Sequence, residues 1–222
     1  MLSSVLSRIA TVLVGVVTFA APATATELEL SFYTGIQSAP HASVSGNDPG
    51  GVGAFDFTPA WEGRSGDMPP YYGFRATWWR SETLGFGVEF NHAKVYANDD
   101  DRAAAGFSRL EFTDGLNLLT ANVMRRWPEQ YGAWTPYVGA GIGLSIPHVD
   151  VETAGGKTFG YQITGPAVVF MGGASRPIND TWDFFLEYKG SYSQNEADLD
   201  NGGTLSTDIV TNAVNLGLTY NF

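Results

Sequence analysis

The sequence predicts an all-β fold, an eight-stranded antiparallel transmembrane β-barrel with long extracellular loops and short periplasmic turns. Three observations predict it: an export segment at the N-terminus, eight segments in which apolar and polar residues alternate, and connections that are short and long by turns.

The export segment comes first. Arg8 supplies a positive charge, residues 9–19 are apolar apart from Thr and Gly, and Ala23-Thr24-Ala25 gives the small-x-small pattern read by signal peptidase. Cleavage is expected after Ala25, which divides the chain into a signal peptide (1–25) and a barrel (26–222). The apolar run is shorter than the roughly 20 residues a spanning helix needs. No later stretch is apolar enough to cross as a helix either, so a membrane location requires a closed barrel.

Composition agrees. The 222 residues include no Cys, so no disulfide framework holds an exported core. The formal charge is −11, and removal of Arg8 makes it −12. Such a chain repels nucleic acid, and its acidic loops would meet anionic lipopolysaccharide through divalent cations.

The alternating segments fall at residues 28–37, 71–80, 84–96, 113–127, 135–146, 161–175, 181–194 and 207–222. In the first, Leu28, Leu30, Phe32 and Ile36 oppose Glu29, Ser31, Tyr33 and Gln37. In the seventh, Trp182, Phe184, Leu186 and Tyr188 oppose Asp183, Glu187, Lys189 and Ser191; the last alternates through Val214, Leu216, Leu218, Tyr220 and Phe222. The fourth and sixth alternate less cleanly, and their faces stay unassigned. Short links at 81–83, 128–134 and 176–180 alternate with long ones at 38–70, 97–112, 147–160 and 195–206. That is the pattern of periplasmic turns and external loops.

Aromatic residues at segment ends (Tyr71, Tyr72, Trp78, Trp79, Trp127, Trp134, Tyr137, Tyr220, Phe222) read as interfacial girdles, and Arg125 and Arg126 as periplasmic headgroup anchors. The terminal Phe222 after alternating apolar residues resembles the signature recognised by the outer-membrane assembly machinery. A soluble barrel with an apolar interior shows the same period. The polar face decides between the two. Glu29, Arg75, Glu89, Glu187 and Lys189 sit mid-segment, as an ion-paired lumen needs, and Gly139, Gly141 and Gly143 suit a crowded interior.

Familiar catalytic signatures are missing: the sequence has no G-x-S-x-G, no H-E-x-x-H and no thiol. The three histidines, His41, His92 and His148, all map to the external side. His92 continues the apolar phase of Phe86, Val88 and Phe90, and His148 that of Val138, Ile142 and Ile146, so both are expected near headgroup level. Together they could ligate a divalent metal with carboxylates from Glu62, Asp99, Glu111 or Asp114. The plain alternative is three scattered surface histidines. His41-Ala42-Ser43 has the spacing of a His-activated Ser nucleophile, but in a Gly/Ser/Pro-rich loop. Asp99-Asp100-Asp101 reads as a solvated loop tip.

Several stretches, above all Asn91-His92-Ala93-Lys94 and Phe112-Thr113-Asp114-Gly115-Leu116-Asn117, resemble the outer-membrane lipid A oxidase family. Supporting pieces are Ser31 to His41, Pro69-Pro70-Tyr71-Tyr72-Gly73 and Thr211-Asn212-Ala213, so the resemblance covers nearly the whole mature chain. It implies oxidation of the proximal glucosamine of lipid A to 2-aminogluconate, with molecular oxygen as oxidant and a divalent metal cation assisting. The roles that fit are His41, His92 and His148 as metal ligands or proton acceptors, Glu89 and Asp114 as supporting carboxylates, and Lys94 pairing with a lipid A phosphate. Glu89 is the outlier, since its phase points into the lumen. The expected partners are lipid A or lipopolysaccharide, outer-membrane lipids and the assembly machinery, with the barrel a monomer. A non-enzymatic barrel, structural or engaged in surface interaction, is the alternative.

Overall fold

Alternation of side chains across a pleated strand means that a closed sheet sorts its residues into an inside and an outside. The computed structural model describes residues 27–222; the signal peptide and the cleavage after Ala25 lie outside the described residues. The chain runs through β1 (Glu27–Ser38), β2 (Val44–Asp48), β3 (Gly53–Phe57), β4 (Trp61–Glu62), β5 (Tyr72–Trp79), β6 (Leu84–Ala97) and α1 (Asp99–Ala104). It continues through β7 (Arg109–Arg126), β8 (Thr135–Ser145), β9 (His148–Thr153), β10 (Gly156–Tyr161), β11 (Gly165–Pro177), β12 (Trp182–Asp198) and β13 (Thr204–Asn221).

Eight of these strands form a closed antiparallel ring in the order β1, β5, β6, β7, β8, β11, β12, β13, with β13 returning to β1. Outward positions are apolar and exposed: Val88 is 58% exposed, Ile142 71% and Leu216 56%. Water would leave this belt unpaid by any burial, whereas lipid solvates it. The fourth and sixth segments now have faces. Leu119, Val123, Val168 and Phe170 point outward, while Thr120, Asn122, Val169 and Met171 point in.

Inside, Arg75 donates to Glu89 at 2.7 Å and pairs with Glu187 at 2.8 Å. Lys189 pairs with Glu89 and donates to Tyr33 Oη at 2.9 Å, Tyr33 Oη donates to Glu89, and Tyr137 Oη donates to Glu187 at 2.9 Å. The lumen is thereby plugged by paired charges. Glycines let the wall close on this packing: a Cβ at Gly141 would stand 1.8 Å from Asn122 Oδ1.

The long links are not structureless. The β2–β3 hairpin extends β13, β9–β10 extends β7, and β4 extends β6, so the wall continues beyond the membrane belt. Inside this extension Val44, Trp61, Val95, Phe107, Phe112, Val149 and Leu205 are buried together, an apolar cap above the charged plug. Residue 161, expected to open the sixth barrel strand, closes β10 instead, and β11 begins at Gly165. Asp99, Asp100 and Asp101 form the first turn of α1, capped by the Asn98 side chain, where acidic residues oppose the partial positive charge of the helix end.

Two expectations about the ends are corrected. Tyr71, Trp79 and Tyr137 face inward and are buried, so the girdles lose these members. Arg126 turns toward the lumen mouth: it pairs with Glu27 at 2.5 Å and Glu29 at 2.6 Å, and its guanidinium lies 4.0 Å from the Trp79 ring centroid.

Candidate functional site on the outer rim

The register of β6 against β7 slips at one place. Ala93 faces Leu116 and Val95 faces Phe112, so Lys94 alone stands opposite residues 113–115. Such a bulge bends the strand and re-aims its side chains. Gly115 makes it possible, with φ +95° and no room for a side chain: a Cβ would stand 2.3 Å from His92 Nδ1. The Gln37 amide satisfies the backbone left open opposite, accepting from Lys94 N at 2.8 Å and donating to Lys94 O at 3.0 Å.

The bulge gathers polar groups on the outward side of the wall. His92 pairs in register with Asn117, directly above the pair Phe90 and Leu119, with Leu119 exposed to lipid. His92 Nδ1 lies 2.8 Å from Asn117 Oδ1, and Asn117 Nδ2 donates to the Asp114 carbonyl at 3.3 Å. His148 Nε2 lies 3.8 Å from Asp114 Oδ2. Aromatic rings shield both imidazoles. Tyr72 stacks on His92 at 4.9 Å, and Phe159 and Tyr161 meet His148 edge-on at 4.4 and 4.7 Å. His92 Nε2 and His148 Nδ1 are buried without a hydrogen-bond partner.

The outward phase expected for His92 and His148 is the one observed, although the rings leave them only 3% and 5% exposed. The other expected members do not join them. His41 is exposed in the link between β1 and β2, and the neighbouring Ser43 Oγ sits 3.1 Å from Thr58 Oγ1. Among the described residues no three His, Asp or Glu side chains form a group that could hold a metal ion, so the three histidines are not a shared ligand set. His148 and Asp114 come within 3.8 Å of each other. Glu62 is engaged by Arg64 and Asn98, Asp99 by Arg102, and Glu111 by Arg109. Glu89 belongs to the lumen plug and not to the rim. Lys94 is fully buried with its ammonium 5.2 Å from the Tyr96 ring centroid, which removes it from direct contact with a lipid phosphate at the surface.

Asn117, Tyr72 and Tyr161 are the rim residues that reading the sequence for ionisable groups misses. A signal for Asn117 existed in Asp114-Gly115, a turn dipeptide inside a strand-like run, which marks a bulge.

A closed ring of eight antiparallel strands, apolar outside and ion-paired inside, defines this chain as a transmembrane β-barrel of the outer-membrane type. A solved barrel agrees on the fold. The chain is similar to the outer-membrane protein AlkL, determined in DMPC bilayers, with a TM-score of 0.51 and 14% identity over 92% of this chain and 95% of that one. Neisserial surface protein A aligns over 90% of this chain and 98% of its own, with a TM-score of 0.49 and 14% identity. No family model matches the sequence, and no curated protein matches it.

Proposed function

We propose that this barrel modifies lipid A in the outer leaflet, oxidising the proximal glucosamine to 2-aminogluconate with molecular oxygen as the oxidant. One observation carries the reading. The two sequence pieces most particular to the resemblance, residues 91–94 and 112–117, are brought together as partners across the β6–β7 bulge, on the wall that faces lipid.

The surroundings support it. The lumen is plugged by paired charges with an apolar cap above them, and the cavity below the plug, lined by Glu29, Trp79 and Arg126, lies at the periplasmic end, away from the outer leaflet. A lipid lying against Phe90, Leu119 and Leu144 would bring its sugar to the His92 and His148 level. The half-exposed cations Arg64, Arg109 and Lys157 stand on this same side, where phosphates could meet them. No Lys or Arg follows Lys189, and the outer ends of β12 and β13 carry Glu196, Asp198 and Asp208, which repel an anionic lipid.

The reaction removes two electrons and two protons from the anomeric C–H and O–H. Oxygen takes them as hydrogen peroxide, and water opens the resulting lactone, a net gain of one oxygen atom. The described residues do not supply a three-residue group for the divalent cation that the resemblance implies, and no step is routed through it. The chain's own contribution is to seat the sugar and to take up a proton at an imidazole nitrogen, a role for which histidine suits neutral pH.

Mass spectrometry of lipid A from cells with and without this gene tests the reading. A gain of one oxygen that needs the gene and aerobic growth is expected. His92→Gln and His148→Gln should each lower the modified fraction by about a hundredfold, and His41→Ala should retain it. Unchanged lipid A under aerobic growth would leave a non-catalytic barrel.

A further inference from the structure

We infer that Asn117 is the positioning residue of the rim: its amide sets which nitrogen of His92 carries the proton, leaving Nε2 as the proton-accepting atom, and ties the Asp114 turn to the same point. The inference deepens the lipid A reading and rests on it only for the role of that nitrogen in turnover.

The argument follows from donors and acceptors. Asn117 Nδ2 donates to the Asp114 carbonyl at 3.3 Å, which turns Oδ1 toward His92 Nδ1 at 2.8 Å. The reverse amide orientation would set Oδ1 against the Asp114 carbonyl, two acceptors facing each other. An amide oxygen only accepts, so His92 Nδ1 must carry the hydrogen. A neutral imidazole protonated at Nδ1 keeps its lone pair on Nε2. That nitrogen is buried and has no hydrogen-bond partner, an arrangement that in a folded protein calls for an explanation. The arrangement is built for uptake of a proton, such as the one leaving the anomeric hydroxyl.

Asn117 also reaches the second histidine. Its bond to the Asp114 carbonyl fixes the turn whose carboxylate stands 3.8 Å from His148 Nε2. One amide therefore holds the His92 ring and braces the turn that stands beside His148, and Gly115 in that turn leaves the space in which the His92 ring sits.

Nitrogen-15 NMR of the mature barrel, labelled at histidine and folded in detergent micelles, reads the tautomer directly, with His92→Gln identifying the His92 signals. At a pH where the rings are neutral, His92 is expected to show a protonated Nδ1 and a bare Nε2. Asn117→Leu should lose this preference, and Asn117→Asp, which also accepts, should keep it. In cells, Asn117→Leu should lower lipid A oxidation about tenfold or more through kcat with little change in KM, and Asn117→Asp should restore part of it. A protonated Nε2 in the unaltered barrel, which needs no variant to fold, overturns the inference, as does an unchanged tautomer in Asn117→Leu. If the tautomer is as expected and lipid A is never oxidised, the assignment of Asn117 stands and the oxidase reading falls.

Discussion

Arg75 meets Glu89, its register partner on the neighbouring strand, inside the barrel at 2.7 Å, both side chains almost wholly removed from solvent. Glu89 also receives Lys189, Tyr33 and the Asn122 amide, so one carboxylate answers two cations. Removing one partner of a buried pair leaves an uncompensated charge, at a cost of about 3–5 kcal/mol. Glu89→Ala should therefore destabilise the barrel by about that amount, read as a lowered midpoint of urea unfolding in lipid vesicles. A midpoint equal to that of the native chain would mean that the plug adds nothing to stability.

The outward face makes the opposite demand. Val88 lies mid-strand on β6 between exposed Phe86 and half-buried Phe90 on the same face, with 58% of its surface outside the protein. Val88→Arg would place a guanidinium in hydrocarbon, costing about 2–4 kcal/mol near the bilayer centre. The folded, heat-modifiable band in electrophoresis should fall in thin bilayers, whereas a water-bathed face would accept the charge freely. The two substitutions together distinguish a lipid-bathed barrel from a soluble one with the same alternation.

Barrel strands were legible because period-two alternation continues for the length of each crossing, as in Trp182, Phe184 and Leu186 against Asp183 and Glu187. The same period carried a consequence for the girdles. Adjacent aromatics such as Tyr71-Tyr72 and Trp78-Trp79 must point to opposite faces, so Trp79 and Tyr71 go inward while Trp78 stays at the lipid boundary. The outer hairpins were hidden for a different reason. Val44–Asp48 reads Val-Ser-Gly-Asn-Asp, a turn-like composition, and becomes a strand only because the end of β13 offers it an open edge. At the rim, the positions of His92 and His148 followed from strand phase. Their connection through Asn117 did not, since the bulge that creates it depends on where the register slips.

Above the membrane, Asp48 ties three external segments together. Its buried carboxylate accepts from Val52 N at 3.1 Å and Thr153 Oγ1 at 2.6 Å, and from the Asn201 amide. Burial by itself would raise its pKa; the hydrogen bonds from Thr153, Val52 and Asn201 outweigh that and hold it below the usual aspartate value. Folding thus favours the ionised form. The stabilisation is full above the unfolded pKa, near about 4, and is lost as the pH falls through the lower folded value. Protease nicking of the outer hairpins should rise below about pH 4 in the native chain. Asp48→Asn should be nicked at neutral pH already and respond less to acid. A flat acid response in both proteins would remove Asp48 from the ordering of the cap.

Gly115 offers the most local test of the bulge. Its φ of +95° disfavours any L side chain, and an added Cβ would also collide with His92 Nδ1. Gly132 has φ +65° with nothing within 4 Å of the position a Cβ would take, so it isolates the backbone penalty alone. Gly132→Ala should cost about 1–2 kcal/mol of unfolding free energy, the penalty of a left-handed residue. Gly115→Ala should cost more than that and shift the His92 ring signals in NMR, because its collision is with the imidazole itself. Equal losses in the two variants, with His92 signals unmoved, would show that the rim tolerates a displaced turn and that the tight seat of the ring is not what holds the bulge in place.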